Sequence, residues 1–140
     1  IRTDQFLYIY NFEPDRWPSG SPDKRVCARS IPYGEIDSSP TKSFLMENRD
    51  VEGVAKLAEL AFGMRPRVEL YDVHQDPHQM KNLAGKPEVA QTQSELHEEL
   101  FTHLRNTKDP RVVGGPVLWD FYPYYGKIST EGWKVDKGSE

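Results

Sequence analysis

Asp72, His74, Asp76 and His78 alternate along one polar stretch, and carboxylate with imidazole is a donor set that zinc or a harder cation accepts. Pro77 follows Asp76 directly, and an Asp-Pro step starts a turn that breaks the regular spacing a ligand set needs. Aspartate and histidine are also common where a strand gives way to solvent. The four residues are therefore read as turn residues, with no metal site assigned. Cys27 is the one cysteine, so no disulfide closes within the chain. A reactive thiol needs an electropositive pocket, and a structural or merely exposed cysteine is expected instead. Trp17, Arg29 and Tyr33 form a third set, two rings that can stack on a sugar and a guanidinium that can fork onto its anionic group. The same two rings would also serve to pin their loop to the body. Both readings stand at this point.

The elements that must position these residues follow from pattern. Val68, Leu70, Tyr71 and Val73 have the β-branched and aromatic content of a short strand. The polar turn after it leads through Asn82-Leu83-Ala84-Gly85-Lys86 to Pro87, a favoured first residue of a helix, with Glu88 well placed at the positive end. Val89, Gln93, Leu96, Leu100 and Leu104 then recur at three- and four-residue steps with Phe101 beside them, which predicts a helix to about Asn106. His97 and His103 are expected on its solvated flanks, and Asp109-Pro110 ends it. Upstream, residues 6 to 12 are dense in Phe, Leu, Tyr and Ile and read as a strand, with Ile1 to Thr3 the remnant of another. Prolines 14, 18, 22, 32 and 40 and glycines 20 and 34 make residues 13 to 40 one long irregular loop. Thr41 opens a helical turn carrying Phe44 and Leu45. Asp50 is a good N-cap for a helix over about 51 to 62, with Val54, Leu57, Ala58 and Ala61 on its core face and Gly63 as its stop. Residues 113 to 140 form a tail whose aromatic part, Trp119, Phe121, Tyr122, Tyr124 and Tyr125, is expected to lie against the domain or a larger neighbour. Trp133 should anchor an otherwise polar end. The class is α+β, a small antiparallel sheet packed against a long C-terminal helix.

A chain of 140 residues suffices for one core and not for an enzyme of several hundred residues. With 36% hydrophobic residues and a mean hydropathy of -0.74, that core should be thin, and a larger partner could complete it. Lysine and arginine total 18 against 22 aspartates and glutamates, a net charge of -4 with no basic run, which speaks against nucleic-acid binding. No apolar stretch approaches the roughly 20 residues that span a bilayer. Ile1-Arg2-Thr3-Asp4 is neither a signal peptide nor an initiator, so the chain is expected to begin within a longer protein.

Several of these residues also carry a resemblance. Glu69-Leu70-Tyr71-Asp72, Asp76-Pro77, Asn82-Leu83-Ala84 and Pro87-Glu88, in that order, resemble the closing signature of type I sulfatases. Arg2-Thr3 with Tyr8-Ile9, Asn11 and Phe12 is similar to that family's preceding strand pair. Ser39-Pro40-Thr41-Lys42, Leu60-Ala61-Phe62-Gly63 and Arg65-Pro66 look like the branch containing the N-sulfoglucosamine sulfohydrolases. The resemblance covers residues 1 to 112 and implies the C-terminal subdomain of an alkaline-phosphatase-like enzyme, exported to a periplasmic, lysosomal or extracellular space. It further implies a parent that hydrolyses N-sulfate or sulfate ester on amino sugars of heparan-like glycosaminoglycans, using calcium and a formylglycine nucleophile in its catalytic domain. Cys27 does not fit that nucleophile: the family pattern is Cys-X-Pro-Ser-Arg, and Arg29 and Ile31 stand where it has proline and arginine. This segment is thus expected to be non-catalytic, its partners the parent's catalytic domain and a sulfated glycan, with Trp17, Arg29 and Tyr33 as substrate contacts. A free-standing module that binds glycans or proteins is the alternative.

Overall fold

A computed structural model describes residues 1–25 and 31–122. The expectations for Cys27, Arg29, Tyr124, Tyr125 and Trp133 lie outside the described residues. In chain order the elements are β1 (Phe6–Tyr10), α1 (Pro40–Glu47), α2 (Ala55–Phe62), β2 (Val68–Asp72), α3 (Ala90–Asn106) and the single turn α4 (Pro110–Val113). The class is α+β. Two compact units divide the chain: Ile1–Glu13 with Pro66–Tyr122, and Pro14–Arg65. No helix among the described residues is long and apolar enough to cross a membrane.

The first unit is built on one antiparallel pair. Tyr8 stands opposite Leu70, with Leu7 opposite Tyr71 and Ile9 opposite Glu69. Tyr8 and Leu70 both turn their backbone groups away from each other: Ile1 exchanges hydrogen bonds with Tyr8, while Leu70 N–H donates to Asn82 Oδ1 and Leu70 C=O accepts from Leu83 N–H. They therefore form the non-hydrogen-bonded type of pair, in which side chains approach most closely. Among the described residues these are the two most buried large side chains, at 1% and 0% exposure, and with Leu96 of α3 they make the core of this unit. Burying each such side chain is worth about 1.5–3 kcal/mol. Ile1, Val68, Leu83, Val89 and Leu100 close around them. The outer edge of β1 is covered from Phe6 to Tyr8 by Ile1 to Thr3, and that of β2 from Val68 to Leu70 by Asn82 and Leu83.

Three expectations are corrected here. The regular strand pairing of β1 stops at Tyr10, although Asn11 N–H still donates to Arg67 C=O. The first turn of the long helix, Pro87–Val89, is 3₁₀ rather than α. His97 is not a solvated flank residue: its Nδ1 meets the Tyr8 hydroxyl at 2.9 Å, and its ring stacks on Phe101 at 4.1 Å. Burial, then neighbouring Tyr10, raises the Tyr8 phenol above its ordinary value of 10.0. Of the two places expected for the tail, its described part leaves Leu118, Trp119, Phe121 and Tyr122 exposed rather than buried on this unit, and the larger neighbour stays the expectation. Arg111 nonetheless sits over the Phe12 ring at 4.7 Å and the Trp119 ring at 5.4 Å, a cation held against aromatic faces.

In the second unit the expected helix over 51 to 62 is shorter. Asn48 to Val54 form turns instead, closed by Gly53 in the left-handed region at φ 83°, and α2 starts at Ala55 with no side-chain cap. Asp50 is exposed and caps nothing in α2, and Leu57 faces solvent at 49% exposure, leaving Ala58 and Phe62 as the buried face. The helical turn expected at Thr41 is a full helix, α1, capped by Ser39 Oγ accepting from Lys42 N–H at 3.1 Å; Phe44 on it is exposed.

Candidate functional site

Around β2 the residues that alternate Asp and His are occupied with backbone. Asp72 accepts from His74 N–H and Gln75 N–H, and Gln5 Nε2 donates to its other oxygen at 3.0 Å. Asp76 accepts from Lys81 N–H at 2.7 Å, while His74 and His78 are exposed. Among the described residues no three His, Cys, Asp or Glu side chains gather where they could hold a metal ion. Asn82 bonds on three sides, accepting from Leu70 N–H and Ala84 N–H and donating to Val68 C=O. Glu69 accepts from Asn11 Nδ2 at 2.8 Å and from the Tyr71 hydroxyl at 2.5 Å. What this arrangement does chemically is fasten a turn to a strand.

That fastening is acid-labile. The hydrogen bond from Gln5, then that from Gln75 N–H, holds the Asp72 carboxyl below its ordinary value of 3.8. The unfolded chain therefore takes up this proton first, so the Asp72 contribution is complete above the ordinary carboxylate range and is lost as the pH falls through the lower folded value. Urea midpoints measured from neutral pH into acid should fall less steeply for Asp72→Asn than for the native chain; parallel curves would remove Asp72 from the account.

The second unit holds a pocket. Ser19 is buried, and its Oγ donates to Ala61 C=O at 3.2 Å, tying the loop to α2. Gly20, at φ 85°, lies so close to Gly34 N that an added Cβ would stand 3.2 Å away, so glycine is required there. Tyr33 N–H donates to Ser21 C=O and Glu35 N–H to Ser19 C=O, which joins the two arms of the loop. Lys42 is the inner support. Although 6% exposed, its ammonium donates to Tyr33 C=O at 2.8 Å and Ile36 C=O at 2.7 Å. Tyr33 is held in the left-handed region, at φ 50°, unusual for a bulky residue. That conformation turns its ring onto Phe62, stacked at 4.6 Å and 18°, with Trp17 edge-on at 6.0 Å.

The three rings back a pocket of about 290 Å³ whose polar side carries Arg49, Asp50 and Glu59. Two of the expected contact residues, Trp17 and Tyr33, thus come together; Tyr33 is a buried wall, and Trp17 is half-buried with surface left for a ligand. Arg49, Glu59 and Lys42 escape a reading of residue types. One signal marks Lys42: a lysine in the first turn of α1 opposes the helix dipole, which points its charge elsewhere. Compared with known proteins, the chain matches no family model, no curated protein and no solved structure.

Proposed function

We propose that this chain is the C-terminal subdomain of an exported sulfatase that removes N-sulfate or sulfate ester from amino sugars of heparan-like glycosaminoglycans. Its own part is structural and cleft-shaping, through the loop that carries Trp17 and Tyr33. The observation that carries this reading is where the sulfatase-like residues fall. Glu69, Tyr71, Asp72, Asp76 and Asn82 fall within one short stretch and Asn11 lies far upstream, yet all do one job, holding β1, β2 and the following turn together. A closing signature of structural residues is what a non-catalytic subdomain needs. The exposed side chains of Leu118, Trp119, Phe121 and Tyr122 also suit a segment that packs on a larger body. Formylglycine and calcium would supply nucleophile and charge stabilisation in the catalytic domain; no residue of this chain is assigned to hold either.

The experiment is sulfate release from N-sulfoglucosamine and from 6-O-sulfated glucosamine, by the full-length parent and by this chain alone. The parent should turn over one of the two and the chain neither, for want of a nucleophile. Turnover by the pure chain, or a parent inert on both, would refute the reading. A parent lacking a Cys-X-Pro-Ser-Arg motif would instead favour the free-standing binding module, for which the exposed aromatic residues would be the contact surface.

A further inference from the structure

We propose that the pocket between Trp17 and Arg49 is a subsite for a single unsulfated pyranose ring, and that it discriminates against a sulfated one. This rests on the glycan-processing reading above and adds to it which ring of the glycan this chain meets.

Size comes first. At about 290 Å³ the pocket stands at the small end of the range of roughly 300–1,000 Å³ typical of ligand sites, room for one ring and not for a chain segment. The wall comes second. Tyr33 and Phe62 are committed to each other, which leaves the half-buried indole of Trp17 as the surface on which the apolar face of a sugar can lie. The polar side decides the ligand class. Arg49 supplies only donors, and Asp50 and Glu59 only acceptors. Sugar hydroxyls donate and accept, so a ring with free hydroxyls, or with an ammonium beside Asp50 or Glu59, uses both kinds. A sulfate group only accepts, and it would meet two carboxylates for one guanidinium. Arg49 is moreover already near Asp50, at 3.8 Å. The side chains of Arg49 and Asp50 are 62% and 95% exposed, so solvent weakens the discrimination and salt should reduce it further.

The test is a titration of the full chain with N-acetylglucosamine, glucosamine and N-sulfoglucosamine at low ionic strength, followed by the NMR shifts of the Trp17 indole N–H and the Arg49 side chain. The two unsulfated sugars should move both signals saturably, with N-sulfoglucosamine weaker by about tenfold, equivalent to roughly 1.4 kcal/mol. Trp17→Ala should abolish the shift at Arg49, and Trp17→Tyr should preserve it. The surface pair Asp50→Asn with Glu59→Gln, which leaves the core alone, should bring N-sulfoglucosamine to within about twofold of the neutral sugar. Equal or tighter binding of the N-sulfated sugar by the native chain, no saturable shift with any of the three, or unchanged binding in Trp17→Ala would each overturn the proposal. Sulfate release is not read in this experiment. A chain that binds as expected while its parent releases no sulfate defeats the sulfatase reading, and an active parent whose chain fails the titration defeats the subsite.

Discussion

Asn82→Ala should cost the first unit about 3 kcal/mol, because three hydrogen bonds leave with one amide. They are not equal. Ala84 N–H and Val68 C=O lie in exposed hydrogen bonds, so water replaces the lost partner there and each contributes only about 0.5–1.5 kcal/mol. Leu70 N–H belongs to a residue with no exposed surface, and an orphaned buried donor costs about 1–3 kcal/mol by itself. Losing it also loosens Leu83, whose N–H donates to Leu70 C=O. Asn82→Asp is the control, since it keeps the acceptor for both N–H groups and loses only the donation to Val68; about 1 kcal/mol is expected. Denaturant unfolding reads the totals, and hydrogen exchange at Leu70 reads the mechanism. Exchange there as slow in Asn82→Ala as in the native chain would mean that the amide is protected by something else.

Phe62→Ala should cost the second unit about 4 kcal/mol, within the range of about 3–5 for removing a buried aromatic ring. The magnitude follows from how little else this unit buries: Tyr33, Ala58 and Phe62 are its whole cluster of buried apolar residues among those described. The stack on Tyr33 is lost along with the volume, and Tyr33 then holds its left-handed backbone through hydrogen bonds alone, to Ser21, Ile36 and the Lys42 ammonium. Phe62→Leu retains most of the volume and gives up the ring contact, worth about 0.5–1.5 kcal/mol. A difference between the two variants of less than about 1 kcal/mol would show that volume is not what Phe62 supplies. Hydrogen exchange at Tyr33 N–H, which donates to Ser21 C=O, should rise in Phe62→Ala while exchange at Leu70 stays unchanged.

The strand at Val68, the body of α3 and the α+β class are legible from composition and spacing, since each depends on residues close in sequence. What is not legible depends on who stands opposite. Spacing places His97 beside the α3 stripe but does not say that Tyr8, 89 residues away, directs a hydroxyl at it. The start of α2 is misjudged for a local reason: Gly53, within the proposed helix, takes a left-handed conformation and closes a turn, a choice its type permits and does not require. At the pocket, Trp17 and Tyr33 are picked out by ring chemistry. Arg49 and Glu59 look like any solvated charges, and Asp50 like a helix cap, until α1 and α2 bring them to one rim.

The covered margins of the β1–β2 ribbon limit how another molecule can engage this unit. A strand presented from outside finds Tyr8 already exchanging hydrogen bonds with Ile1, and Leu70 already bonded to Asn82 and Leu83. Neither the seeding of intermolecular sheets nor peptide capture by strand addition is open there. A partner of the first unit must therefore recognise side chains, and the exposed rings from Trp119 to Tyr122 are the most prominent apolar ones it offers.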